Sequence, residues 1–114
     1  MVMILPLPPE LLRPLCEEIG VDSEDMVWGY AAADNSKMAG YCIVADGEPC
    51  TVLALEASDK YVADGLLRKA LRPFYDSGIR EYQFDRIPDC PITPDYIIAG
   101  RGSLEKLFRP CCES

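Results

Sequence analysis

Residues 50–84 of this chain read CTVLALEASDKYVADGLLRKALRPFYDSGIREYQF, and this stretch decides the fold. Its first eight residues, 50–57, are almost continuously apolar, which is typical of a strand covered on both faces. Ser58 and Asp59 then supply a capping residue, and apolar residues recur at helical spacing, which predicts a helix over 60–77. The apolar face of this helix consists of Val62, Leu66, Ala70 and Phe74, joined by Ala63, Leu67 and Leu71.

A second strand is predicted directly after this helix. Gly78 can close the helix, and residues 79–84 alternate between apolar and polar types with the period of a strand. A strand, a crossing helix and a further strand form a βαβ unit, in which the two strands lie parallel in one sheet. We therefore expect Ile79–Phe84 to run alongside the strand that ends at Ala57, in the same direction.

Strands are also predicted before this unit. Residues 26–33 and 38–45 are strand-like runs, separated by the turn-forming residues 34–36. Asp46-Gly47 is a hairpin signal between the second run and residues 50–57. Together these three strands predict an antiparallel meander.

The two ends of the chain complete the predicted fold. Residues 1–5 predict a first strand, and residues 9–19 predict a helix that Pro14 shortens or bends. Beyond residue 84 we expect a proline-rich surface loop over 85–95, a strand over 96–99, a turn at 100–102 and a short strand or helical turn over 104–108. The prediction is one α/β domain over residues 1–114. Its fold class is α+β (α/β), with a mixed, mostly antiparallel sheet flanked by helices.

This order of elements resembles the central architecture of the GNAT-type N-acetyltransferases, which have the acyl-CoA N-acyltransferase fold. The resemblance is clearest from Gly40 to Phe84, about two fifths of the chain. Within it, residues 52–57 are similar to the family's fourth strand, residues 59–71 to its cofactor loop and following helix, and residues 78–84 to its fifth strand. Pattern and order carry the resemblance more than rare motifs do, so the chain resembles a short and degenerate member.

The family's cofactor motif is Arg or Gln, two variable residues, Gly, a variable residue, and Gly or Ala. Its small residues let backbone N–H groups approach the pyrophosphate of acetyl-CoA at a helix N-terminus. Residues 62–67 correspond to the motif here, and only Gly65 agrees with it. Val62 replaces the basic or amide residue, Asp64 brings a negative charge, and Leu67 replaces the second glycine.

Each of these positions also has a structural interpretation. Val62 and Leu67 lie on the apolar face of the predicted helix, and Asp64 suits a first helical turn. Gly65 can mark close packing of the helix on the sheet instead of a ligand site.

The resemblance implies further site residues. In the family, a backbone N–H of the splayed fourth strand polarises the thioester carbonyl, and this function would fall near Leu55 to Ala57. A carboxylate can serve as the base, which makes Glu56 a candidate by position, and a tyrosine beyond the fifth strand often serves as the acid, which makes Tyr96 a candidate. The implied cofactor-binding residues are Leu55, Ala57 and Gly65, and the cofactor is acetyl-CoA if the protein is enzymatic.

The charge distribution bears on partners. The formal net charge is −8, and residues 1–60 hold 11 acidic and 3 basic side chains, which accounts for all of it. An acidic surface repels phosphate, so nucleic acid is not an expected partner. Trp28 and Tyr30 share one face of a predicted strand, which favours a core or interface role over base stacking. With no apolar run near ~20 residues and no signal peptide, the expectation is a soluble, cytoplasmic protein without membrane contact.

The chain has six cysteines and no histidine. Metal sites need convergent pairs of ligands, so no metal site is predicted. Cys42 and Cys50 lie in apolar strands, where a thiol behaves as a small hydrophobic group. The adjacent Cys111 and Cys112 are the most reactive candidates.

Three hypotheses follow for the function. The first is a non-catalytic interaction or structural module on this fold, with a homodimer as the expected assembly because an exposed sheet edge favours pairing with a second copy. The alternative is an N-acetyltransferase that transfers an acetyl group from acetyl-CoA to an amine. The third is an unrelated small α+β domain with the same order of elements. The sequence does not identify an acceptor substrate.

Overall fold

The computed structural model describes residues 2–18, 20, 27–47, 49–85, 97–98 and 101–108. These residues form seven strands and three helices. The strands are β1 (Val2–Pro6), β2 (Val27–Asp34), β3 (Lys37–Ala45), β4 (Cys50–Ala57), β5 (Glu81–Phe84), β6 (Ile97–Ile98) and β7 (Arg101–Ser103). The helices are α1 (Pro9–Glu18), α2 (Lys60–Asp76) and α3 (Leu104–Phe108).

The seven strands pair in one sheet, in the order β1-β2-β3-β4-β5-β7-β6. The pair β4–β5 is parallel, and the other described pairs are antiparallel. In the parallel pair, Cys50 lies opposite Tyr82 and Val52 lies opposite Phe84. The predicted mixed, mostly antiparallel sheet is confirmed, and so is the parallel strand after the long helix. That residues 1–114 form one domain stays a prediction.

The C-terminus of α2 explains where β5 begins. Gly78 has a φ of 102°, a left-handed conformation that glycine adopts without strain. Its N–H donates to the Tyr75 carbonyl at 3.1 Å, and the Ile79 N–H donates to the Phe74 carbonyl at 3.0 Å. This pair of bonds is a Schellman motif. Because the motif uses Ile79, β5 begins at Glu81 and not at residue 79 as predicted.

The two longer helices cover opposite faces of the sheet. The buried residues of α2 pack in one cluster with Val44 of β3, whereas Leu12 and Cys16 of α1 pack with Ile43 of the same strand. Neighbouring residues of a strand point to opposite faces, so Ile43 and Val44 assign each helix to its side. The described cysteines are buried as thiols in these two clusters, and they are Cys16, Cys42 and Cys50.

The predicted turn at residues 100–102 is wrong for its last two residues, Arg101 and Gly102, which belong to β7. Gly102 lies opposite Tyr82 of β5. The Tyr82 ring covers Gly102 so closely that a Cβ there would collide with the ring. This glycine therefore marks close packing in the sheet, and not a reversal of the chain.

Several other predictions concern the ends of the chain. Helix α1 continues through Pro14, the strand over 96–99 is represented by β6, and residues 104–108 form helix α3. Of the predicted loop over 85–95, the residues after Asp85 lie outside the described residues, and so does the pair Cys111–Cys112. None of the helices in the described ranges combines the length and the apolar character needed to cross a bilayer.

Candidate functional site

Strand β4 continues beyond its neighbour β5. β5 pairs with β4 only as far as Val52, whose carbonyl also accepts the Asp85 N–H at 2.9 Å. β4 itself runs on along β3 to Ala57. Its register with β3 shifts at Leu53, which is the extra residue of a β-bulge. The end of β4 therefore extends past the described end of β5, at the place where the family resemblance locates acyl transfer.

Leu55 and Ala57 lie in this extension. Leu55 lies opposite Cys42 and Ala57 lies opposite Gly40 in the β3 register. Leu55 is buried in the cluster under α2, and Ala57 packs against it. A Cβ on Gly40 would collide with the backbone at the end of β4, so the two strands approach closely here. The structure brings the two residues to one strand end, and their role in cofactor binding stays a prediction.

Glu56 is exposed on the other face of β4, and its partner is Tyr41 of β3. The Tyr41 hydroxyl donates to Oε2 of Glu56 at 2.9 Å. Burial is the largest cause, and together with the hydrogen bond to Glu56 and the charges of Glu56 and Glu18 it raises the pKa of Tyr41 from 10.0 to about 12. The phenol therefore stays protonated near neutral pH, and it holds the Glu56 carboxylate in place.

Tyr41 was not singled out from the sequence. Ala45 pairs with Thr51, and continuing that register without interruption would place Tyr41 opposite Leu55. The bulge inserts one residue and brings Glu56 opposite Tyr41 instead, which no local pattern indicated. Tyr96, the other predicted catalytic side chain, lies outside the described residues, and its role stays a prediction.

The N-terminus of α2 follows β4 after two residues and is capped by Asp59. Oδ1 of Asp59 accepts the backbone N–H groups of Tyr61 and Val62, each at 2.9 Å. The first N–H groups of a helix have no partner within the helix, so these are the donors that a bound anion would need. In this structure the protein's own carboxylate accepts both hydrogen bonds.

The residues that correspond to the family's cofactor motif pack in the core or form an ion pair within α2. The side chains of Val62 and Leu67 are buried in the core cluster. Asp64 forms an ion pair with Arg68 at 2.8 Å on the surface of α2. Gly65 lies in the second helical turn, where a Cβ would lie 3.1 Å from Cδ1 of Ile4 on β1. The place of Gly65 matches the packing interpretation, and its role in cofactor binding stays a prediction.

A cavity of about 290 Å³ lies near the other end of α2. Trp28, Tyr30 and Phe74 form its aromatic walls, and Asp46 lies at its edge. Fourteen residues of helix at ~1.5 Å each separate Phe74 from the start of α2, a distance of about 20 Å. The cavity is therefore separate from the capped turn. Among the described residues, no three Cys, Asp or Glu side chains lie together in a way that could hold a metal ion.

We compared the sequence and the three-dimensional structure with those of known proteins. The sequence matches no protein-family model, and no curated protein matches it significantly. The three-dimensional structure does have similar solved structures. An IAA acetyltransferase from Bacillus cereus superposes with a TM-score of 0.56 and 18% identity, covering 74% of this chain and 65% of that chain.

Two further solved structures agree with the first. The PaiA N-acetyltransferase from Thermoplasma acidophilum, in complex with coenzyme A, has a TM-score of 0.56 and 17% identity, covering 74% of this chain and 78% of that chain. A GNAT-family protein from Desulfovibrio desulfuricans has a TM-score of 0.54 and 12% identity, with 74% and 72% covered. At such low identity the likeness concerns the fold. The chain therefore has a GNAT-like α+β fold, as the order of its elements predicted.

Proposed function

We propose that this chain is a non-catalytic interaction module on a GNAT-like fold. The observation that carries the proposal is the Asp59 carboxylate, which accepts the N–H groups of Tyr61 and Val62 at the start of α2. A pyrophosphate that used these donors would have to displace the carboxylate and lie beside its negative charge. Helix N-termini attract anions through such donors, so a built-in anion removes the attraction.

The shortness of the turn supports the same proposal. β4 ends at Ala57 and α2 begins at Lys60, so only Ser58 and Asp59 connect them. The Ser58 N–H donates to the Ala39 carbonyl of β3 at 2.9 Å. The backbone N–H groups of Ser58, Tyr61 and Val62 are thus bonded within the protein, which leaves fewer donors for a phosphate.

The partner that fits best is a second copy of this chain, docked on β1. β1 lies at one end of the sheet order and pairs only with β2 among the described strands. Val2, Met3 and Leu5 expose 42%, 55% and 51% of their surfaces there. An edge strand with unpaired backbone groups and apolar side chains favours pairing with an identical strand about a two-fold axis.

A second candidate function is N-acetyl transfer from acetyl-CoA to an amine. It is favoured by the extension of β4 past the described end of β5, and by the coenzyme A complex of the Thermoplasma protein. On this hypothesis the amine nitrogen attacks the thioester carbonyl, Glu56 accepts a proton from the amine, and the coenzyme A thiolate leaves. Tyr41 would then position the base.

Calorimetric titration with coenzyme A and acetyl-CoA separates the two functions. The Thermoplasma protein serves as the positive control. We expect no saturable heat and no thermal stabilisation of this chain at millimolar ligand. A ligand that did bind, at 100 times its dissociation constant, would raise the free energy of unfolding by about 2.7 kcal/mol. Saturable binding by the wild-type chain would overturn the non-catalytic proposal, and acetyl transfer to a panel of amines would establish the second candidate.

The variant Asp59→Ser sharpens the test, because serine is also a good N-cap but carries no charge. If the carboxylate is what excludes pyrophosphate, this variant should bind coenzyme A measurably better than the wild type. Glu10→Ser, on exposed α1 surface, is the control for the loss of one negative charge.

A further inference from the structure

The cavity at the C-terminal end of α2 is not explained by the proposed function. It lies between the first residues of β2 and the last two turns of α2. Its volume of about 290 Å³ is close to the lower end of the range for small-molecule sites, ~300–1,000 Å³. The residues that line it are Trp28, Tyr30, Asp46, Ala70, Pro73, Phe74 and Ser77.

Three aromatic rings form the walls of this cavity. Trp28 and Tyr30 are two residues apart on β2, so they project from the same face toward α2. The rings of Trp28 and Phe74 stand at 75° to each other, with centroids 5.8 Å apart. Trp28 nevertheless leaves 45% of its surface exposed, so the helix end does not close over it. A large aromatic surface remains available to a ligand.

The charge at this cavity is negative. Asp46, in the connection between β3 and β4, is the charged side chain among the described residues that line it. Its Oδ1 accepts the Gly47 N–H at 2.9 Å, which limits where the carboxylate can lie. Arg72, the arginine in the last two turns of α2, is bonded to Asp76 at 3.1 Å and lies over the rings of Tyr75 and Phe108. It is engaged on another face of α2.

We propose that this cavity binds a small organic cation that carries a methylated ammonium group. Aromatic faces attract cations through their quadrupoles, and quaternary ammonium groups are recognised by aromatic walls of this kind. The Asp46 carboxylate supplies the counter-charge, and the net charge of −8, all of it carried by residues 1–60, favours cations over anions. A volume of about 290 Å³ is sufficient for a ligand the size of choline, so the proposed occupant is a free small molecule.

Trp28 is the single tryptophan of the chain, so its fluorescence reports on this cavity alone. The probes are choline and tetramethylammonium, titrated at constant ionic strength. The control ligand is dimethylbutanol, the uncharged carbon isostere of choline. We expect a saturable change with both cations and binding of the isostere weaker on the order of tenfold, since cation–π attraction is lost. Equal responses to choline and its isostere would overturn the proposal.

Two substitutions of exposed lining residues, each with a control variant, test whether binding takes place in this cavity. Asp46→Asn should weaken choline binding about threefold or more. Glu10→Gln also removes one negative charge, but on α1 and outside the cavity, and should leave binding unchanged. Trp28→Leu should abolish binding measured by calorimetry, and Tyr61→Leu, which replaces an aromatic residue outside the cavity, should not. Thermal unfolding of each variant verifies that it is folded. If a trimethyllysine peptide bound far more tightly than choline, the occupant would be a protein segment, and the small-molecule assignment would be wrong.

Discussion

Glu56 and Asp59 are acidic residues three positions apart, and their hydrogen-bond partners give them different structural roles. Asp59 accepts two backbone N–H groups at the start of α2, whereas Glu56 accepts the hydroxyl of Tyr41 across the sheet. Each carboxylate is placed by a bond that its residue type alone does not reveal. The structural role of Asp59 weighs against cofactor binding, and the placement of Glu56 is compatible with either candidate function.

The contact of Tyr41 with Glu56 predicts a loss of stability in alkali. Folding raises the pKa of Tyr41 from 10.0 to about 12, so the folded state keeps the phenolic proton that the unfolded state has lost. This contribution to stability is complete below pH 10 and disappears as the pH rises toward 12. The free energy of unfolding should therefore fall less steeply in this window for Tyr41→Phe than for the wild type, measured by denaturant unfolding. Identical slopes would contradict the prediction, and Tyr61→Phe is the exposed control.

The described cysteines are predicted to be inert in the folded protein. Cys16, Cys42 and Cys50 each expose 1% or less of their surface. Burial raises the pKa of the Cys50 thiol to about 11, which leaves very little of the reactive thiolate. In a variant with serine at 90, 111 and 112, the three remaining thiols should not react with a thiol reagent in the folded protein. All three should react once the protein is unfolded. Rapid reaction of the native variant would show that one of the three is accessible.

At the scale of elements, α2 uses for packing the positions that correspond, by resemblance, to the cofactor motif of the GNAT-type family. Val62 and Leu67 are buried against the sheet, and Gly65 lies close to Ile4. The apolar side chains at positions 62 and 67 therefore build the core where the family's motif has a basic or amide residue and a small residue.

Substitution of Leu67 measures this packing. Leu67 exposes 1% of its surface, so Leu67→Ala should lower the free energy of unfolding by about 2–5 kcal/mol through lost burial and the cavity left behind. Leu67→Gly, which restores the family's motif residue, should cost roughly 1 kcal/mol more because glycine disfavours helix. Denaturant unfolding measures both. Lys69→Ala on the exposed side of α2 should change stability by no more than about 0.5 kcal/mol; a similar loss there would show that the effect is not one of burial.

At the scale of the whole molecule, β1 is an edge strand among the strands that the structure describes, and the proposed dimer would pair it. Sedimentation at increasing concentration should show a monomer–dimer equilibrium. Met3→Lys should shift it to monomer while the melting temperature of the monomer is retained, because a charge on an edge strand opposes strand pairing. Leu11→Lys, at a leucine of α1 that is 52% exposed, is the control. Salt should strengthen the dimer by screening the repulsion of two chains of net charge −8.

Local pattern and chain order were sufficient for most of the fold. The apolar run at 50–57, the cap at Asp59 and the alternation at 79–84 each depend on neighbouring residues, and they predicted β4, α2 and the parallel β5. The physical reason is that helix and strand periods, caps and turns are set by short-range geometry, and a βαβ connection has few arrangements open to it.

The packing of distant segments produced the features on which the proposals rest, and no local pattern indicated them. The bulge at Leu53 brought Glu56 opposite Tyr41, and Tyr82 covered a glycine that local pattern predicted as a turn. The cavity beside Trp28 arises because β2 and the end of α2, more than 40 residues apart in the chain, meet without closing. Register, close approach and cavities depend on how distant segments pack, and that information is spread over the whole core instead of residing in any one stretch.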